Sequence, residues 1–102
     1  METYIISKST NPIKKYDVLK ISMIKPIKKI ASFGATGYSD YTKHKDEERK
    51  ENYISRHSIR EDWDDLNTAG TWARFILWNE KTINKSIKDM EKRFNIKIIF
   101  LK

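Results

Sequence analysis

Hydrophobic and polar positions along the first third of the chain follow a period of two. Tyr4, Ile5 and Ile6 open a short β-type run, and Ser9, Thr10, Asn11 and Pro12 form a turn cluster before the next one, a pattern that predicts a hairpin. In the second run Leu19, Ile21 and Met23 alternate with Lys20 and Ser22, as in a strand with one buried and one wet face, and Pro26 breaks it. A third run over residues 28–33 sets Ala31 and Phe33 on one side with Lys29 and ends at Gly34.

The period then changes. From about Thr42 to Arg60 the composition is helical, with Asp46, Glu47 and Glu48 early and Arg56, His57 and Arg60 late, an order that complements the helix dipole. Tyr53 and Ile54 are its main apolar residues, so it is expected on the surface, touching the body along a narrow stripe. Asp62, Asp64, Asp65 and Asn67 mark a loop. Thr68 is a suitable N-cap for a short helix through Trp78 that is apolar nearly all round and is expected at the centre of the core. Thr82 caps another helix, with Ile83, Ile87, Met90 and Phe94 forming an apolar stripe, and Asn95 can end it in the left-handed conformation. The last run, residues 96–101, is apolar on both faces, so it needs cover on both sides or a partner chain, and it is expected to pair with the N-terminal strands.

These elements predict an α+β fold. A small mixed or antiparallel sheet, built from the N-terminal strands and a C-terminal strand, packs with about three helices. At 102 residues one domain is expected, mainly β over 1–33, mainly α over 42–94, with a terminal strand at 96–101. No apolar run reaches the roughly 20 residues of a membrane span, and the start lacks a signal segment, so the protein is expected to be intracellular, without membrane insertion. Cys is absent, which removes disulfides and thiolate metal sites.

Charge adds a second layer to this picture. The formal net charge is +7. Seven Lys face two acids in residues 1–30, and eight basic groups face three acids in residues 68–102, so both ends are cationic. Residues 31–67 hold nine acids against six bases and are mildly acidic. Such a surface can dock on phosphates or on acidic proteins. Lys outnumbers Arg by 16 to 5, which also matches an AT-rich coding sequence. Lys serves phosphate contacts, whereas base readout favours Arg.

The segment Phe33-Gly34-Ala35-Thr36-Gly37-Tyr38-Ser39-Asp40-Tyr41-Thr42 has the ingredients of a phosphate cradle, since glycine lets backbone N–H groups approach an anion. It lacks the Lys-Ser or Lys-Thr pair of a P-loop, and Asp46, Glu47 and Glu48 would repel an anion at the following helix. A strand-to-helix turn that needs positive φ accounts for both glycines. His44 and His57, if on one helix, lie roughly 20 Å apart and cannot share an ion. No catalytic constellation, metal site or cofactor motif emerges from the spacing.

The binding signal is aromatics interleaved with cations: Tyr38, Tyr41, Arg49, Tyr53, Arg56, Arg60 and Trp63, with His57 counted among the candidate contacts. Arg49, Tyr53, Arg56 and Arg60 recur at i, i+4, i+7 and i+11 and share one helical face, which can stack on and clamp a partner. The same stripe also fits Arg stems packing over Tyr53 and pairing with acids inside the domain. Lys85, Lys88 and Lys92 form a second cationic row.

Residues 33–89 resemble a family of small uncharacterised proteins of giant and other large double-stranded DNA viruses. The resemblance rests on Phe33-Gly34-Ala35, Gly37-Tyr38-Ser39-Asp40-Tyr41-Thr42, His44-Lys45-Asp46, Arg49-Lys50, Tyr53-Ile54, Arg56-His57 and Arg60-Glu61-Asp62-Trp63. It continues through Thr68-Ala69-Gly70, Trp72, Leu77-Trp78-Asn79 and Thr82-Ile83, and leaves residues 1–30 outside. Thr71 and Ala73 stand where that family carries an aromatic residue and a serine, which argues against a serine nucleophile there. The resemblance implies a viral setting, in the virion or the infected-cell cytoplasm. The expected function is that of a non-enzymatic structural or interaction protein, a minor capsid-associated component that meets other viral structural proteins or acidic protein surfaces. The alternative is a basic nucleic-acid-binding or genome-packaging accessory protein that contacts the DNA or RNA backbone.

Overall fold

Turn chemistry at residues 9–13 sets the register of the sheet. The Asn11 side-chain oxygen accepts from the Ile13 N–H at 3.1 Å, and the Lys14 N–H donates to the Asn11 carbonyl at 3.0 Å. In the computed structural model, which describes residues 1–22 and 27–101, this turn joins β1 (Thr3–Lys8) to β2 (Lys14–Ile21). The two pair antiparallel, with Ile6 opposite Val18. β3 (Lys28–Ala35) pairs antiparallel with β2, and β4 (Lys97–Phe100) pairs parallel with β1, so the sheet is mixed with order β3-β2-β1-β4. The expected α+β architecture and the pairing of the last strand with the N-terminal ones are both present.

Two sequence expectations about β2 and β3 need correction. Alternation in β2 is real, but its phase is reversed: Tyr16 and Val18 pack on the core, and Ile21 is exposed. A bulge between Val18 and Leu19 opposes the adjacent β3 residues unevenly, so Val18 pairs with Ala31 while Leu19 pairs with Lys29. That shift separates Lys29 from Ala31 and Phe33, which it was expected to accompany. β3 also continues past Gly34, which sits within the strand at φ +77°. Met23 and Pro26, invoked for the end of the second strand, lie outside the described residues, as does Lys102.

The inner hinge of the hairpin is Asp17, a buried carboxylate. It accepts from the Ser9 and Ser32 hydroxyls, each at 2.6 Å, and from the Thr10 N–H at 3.3 Å. Burial alone would raise its pKa, but these three hydrogen bonds, with the charge of Lys29, hold the carboxyl below its ordinary value. Asp17 thereby ties the β1–β2 turn to β3.

Helices cover one face of the sheet. Asp40 caps α1 (Tyr41–His44), and Asp46 caps α2 (Glu47–His57) by accepting from the N–H groups of Glu48 and Arg49. The single helix expected over residues 42–60 is therefore two, broken where Lys45 adopts φ +54°. Thr68 caps α3 (Ala69–Trp72), which runs on as a π-helical turn, Ala73–Leu77, closed by the Trp78 N–H donating to the Ala73 carbonyl. The wider turn brings Phe75, Ile76 and Leu77 into the core beside Trp72, confirming this segment as the central buried element. Thr82 caps α4 (Ile83–Phe94), and Asn95 ends it at φ +54°, both as the sequence predicts. Ile87 and Met90 of its stripe are buried against Tyr4, Ile6, Val18, Phe33 and Ile98. Glu91 then accepts from the Ile98 N–H at 2.9 Å, leading the chain into β4. Ile98 is buried while Ile99 stays 37% exposed, so within this chain only one face of β4 is fully covered.

Candidate partner-binding face

The break between α1 and α2 shapes the site. With Lys45 left-handed, α2 turns back so that Tyr53 reaches Trp78, at the end of the π-helical turn. The two rings stack at 4.4 Å between centroids with 3° between planes. His57, one helical turn after Tyr53, stacks on it from the other side at 4.1 Å and 25°. On the far side of Trp78 lies His44, at 5.3 Å, followed by Tyr41 at 6.2 Å. Five rings thus follow one another in the order His57, Tyr53, Trp78, His44, Tyr41, drawn from three separate helical segments.

Polar groups fix the ends of this column. The Tyr41 hydroxyl donates to Glu47, and that hydrogen bond, together with burial, pushes the phenol up to about 12. Lys50 lies over the Tyr41 ring, 4.8 Å from its centroid. The Tyr53 phenol is pushed up further, chiefly by burial. His44 Nδ1 accepts from the Asp46 N–H at 3.0 Å, which leaves the proton of the neutral imidazole on Nε2, a buried nitrogen with no hydrogen-bond partner among the described residues. Burial first, and then the charge of Arg49, hold the His44 pKa below its ordinary value. At the other end His57 Nδ1 stands 3.6 Å from Glu61, whose carboxylate also accepts from the Trp63 indole N–H at 2.9 Å. Gly70 gives Glu61 this place: a Cβ there would lie 2.4 Å from Oε1.

Around the column the cations face solvent. Arg49 and Arg56, with Asn52, Ser55 and Trp78, line an open cleft of about 460 Å³, and Arg56, His57, Ile59 and Arg60 line a neighbouring one of about 470 Å³. The Arg56 Nε–H donates to the Asn52 carbonyl at 3.4 Å, holding the side chain along the helix. Arg49, Arg56 and Arg60 are exposed, and none makes an ion pair with a described residue.

The structure therefore brings together Tyr41, Arg49, Tyr53, Arg56, His57 and Arg60 of the residues singled out by sequence. Tyr41 and Tyr53 are nevertheless buried, Tyr53 to 8% exposure with both ring faces occupied, so they stiffen the face rather than offer their rings to a partner. Tyr38 stands apart, 73% exposed beyond Gly37. Lys85, Lys88 and Lys92 lie exposed along α4 and border none of these clefts. His44 and Trp78 were not foreseen as parts of the face, because no spacing in α2 points to them. Thr71, which stands where the resembling family carries an aromatic residue, is fully buried and its hydroxyl donates to the Asp65 carbonyl at 2.6 Å, a structural role. Among the described residues no cluster of His or carboxylates could hold a metal ion, and no helix is long and apolar enough to cross a membrane.

A family model described as a family of unknown function, DUF5754, matches residues 4–57. No curated protein matches the chain, and no solved structure does. The match begins at Tyr4 in β1 and ends at His57 in α2, so it takes in β1, β2 and the start of β3, which the resemblance over residues 33–89 left aside. It takes in the hairpin, the Gly34 to Thr42 segment and α2 with Arg49 and Arg56, and on it the chain belongs to the DUF5754 family of unknown function.

Proposed function

We propose that this protein is a non-enzymatic interaction module that docks acidic protein surfaces on the Arg49, Arg56 and Arg60 face. The observation that carries this reading is a set of three exposed guanidinium groups without ion pairs to any described residue, mounted beside a stack of rings. Arg and aromatic residues are enriched where proteins bind one another, and a pre-ordered support lowers the entropy lost on docking. The resemblance to proteins of large DNA viruses supports a setting in the virion, as a minor component contacting other structural proteins. Quantitative mass spectrometry of purified particles tests that setting: recovery in fixed proportion to the capsid protein supports it, and absence from particles overturns it. The docking face is tested by replacing Arg49, Arg56 and Arg60 together with Glu, which should leave the thermal midpoint in place and abolish co-purification with particle proteins.

A second reading, a sequence-tolerant nucleic-acid or genome-packaging accessory, is favoured by the exposed row Lys85, Lys88 and Lys92, which makes no ion pair among the described residues. It requires that DNA or RNA retardation weaken steeply as salt rises, because bound phosphates release counterions. Failure to retard either polymer at low salt removes it.

A further inference from the structure

A separate concentration of positive charge lies away from the arginine face. A cleft of about 570 Å³ opens where the end of β1, the start of β2, the segment after β3, α1 and the end of β4 meet. Its volume falls within the range of small-molecule sites. Four lysines, Lys8, Lys14, Lys15 and Lys43, line it, and among the described lining residues Asp40 is the one acid. Lys8, Lys14 and Lys43 make no ion pair with a described residue. Asp40 is already satisfied: one oxygen accepts from the Lys15 ammonium at 2.6 Å, and the other accepts from the Thr42 N–H and hydroxyl.

Lys15 is the least usual of these groups. Its side chain is only 12% exposed, yet its ammonium makes one hydrogen bond among the described residues, so two of its three donors have no protein partner. Beneath the charges the walls are apolar, from Tyr16, Leu77, Ile83 and Phe100. The Tyr16 and Phe100 rings meet edge to face at 5.8 Å, and the Tyr16 hydroxyl makes no hydrogen bond to the described protein. The site therefore combines lysines with apolar and aromatic walls and one neutral hydroxyl. A dianion matches three lysines without ion pairs among the described residues better than a monocarboxylate does, and a flat aromatic body can pack on the Tyr16 and Phe100 rings.

We propose that this cleft binds a small phosphate monoester with a planar aromatic body, the class of a nucleoside monophosphate. The site is independent of the arginine face, and its failure would leave that reading untouched. Titrating the full-length protein with adenosine monophosphate, adenosine, inorganic phosphate and a single-stranded oligonucleotide, followed by amide NMR, tests it. Saturable shifts are expected at Thr36, Gly37, Lys43 and Phe100, with adenosine and phosphate each at least about tenfold weaker than the monophosphate. Lys8→Glu with Lys43→Glu, both exposed positions, should weaken the monophosphate by about tenfold or more while the thermal midpoint holds. The neutral variant Lys43→Gln should weaken it less, and it replaces the charge reversal should that fail to fold. Absence of shifts at about 10 mM ligand, shifts confined to residues 49–60, or equal affinity for inorganic phosphate would each overturn the assignment. Tighter binding of the oligonucleotide than of the monophosphate through these same residues would overturn it in favour of a polymer backbone.

Discussion

Gly34→Ala tests how the sheet and the π-helical turn meet. At φ +77° any residue with a Cβ is strained, at about 1–2 kcal/mol. The added Cβ would also lie 2.9 Å from Leu77 Cδ1 and 3.1 Å from both Cβ and Cδ of Lys15. Neither neighbour yields freely, since Leu77 is buried in the core and Lys15 is pinned by Asp40. Overpacking of this kind adds about 1–3 kcal/mol, so the substitution should cost about 2–5 kcal/mol in all. For a domain of this size the thermal midpoint should fall by roughly 10 °C or more. Gly37→Ala is the control, because Gly37 has φ +84° with nothing within 4 Å of the built Cβ, and it should show the backbone cost alone. Thermal unfolding followed by circular dichroism measures both. Equal midpoints for the two variants would refute the claim that β3 and residue 77 are in close contact at Gly34.

The other predictions concern groups buried with or without partners. Because the folded pKa of His44 lies below that of the unfolded chain, its contribution is present above about pH 6.5 and is lost as pH falls through the folded value. His44→Asn, which keeps an acceptor for the Asp46 N–H, should flatten that part of the midpoint-against-pH curve, and an unchanged slope would exclude His44 as its source. Asp17→Asn should cost about 1–3 kcal/mol in urea unfolding, and combining it with Ser32→Ala should add less than the sum of the two, since they share one hydrogen bond. With the folded pKa depressed, the Asp17 contribution holds above about pH 4 and fades as pH drops through the folded value. Tyr53→Ala should cost about 3–5 kcal/mol by opening the column between His57 and Trp78, read by chemical unfolding.

How far these features were legible depends on whether their cause is local. Thr82 and Asn95 act on their own helix, the first by accepting from the Lys85 N–H and the second by taking a left-handed turn, so the bounds of α4 follow from residues within it. The same holds for Thr68 and the helix it starts. In β2 both alternating sets are apolar in part, Tyr16 and Val18 against Leu19 and Ile21, and pattern alone cannot say which set the helices will cover. Helix coverage decided it, with the bulge resetting β3 to match. The helix break was readable in principle, since Asp46 followed by Glu47 and Glu48 is a helix-start signal, but an unbroken run of helix-favouring residues hid it, and the left-handed residue is a lysine rather than a glycine.

The aromatic column shows what locality leaves out. The Arg49, Tyr53 and Arg56 stripe was visible as one helical face, and two outcomes were open for it: contact with a partner, or ion pairs within the domain. Which of them holds depends on Trp78, more than twenty residues downstream, because its ring takes the inner face of Tyr53 and His57 takes the outer one. Once both faces of the tyrosine are occupied, that ring is not open to the arginine stems, and Arg49 and Arg56 line the cleft beside Trp78 with no ion pair to a described residue. Water solvates these exposed charges, so leaving them unpaired costs the fold little, and the stacked rings beneath them are what distinguish this face from an ordinary charged helix side.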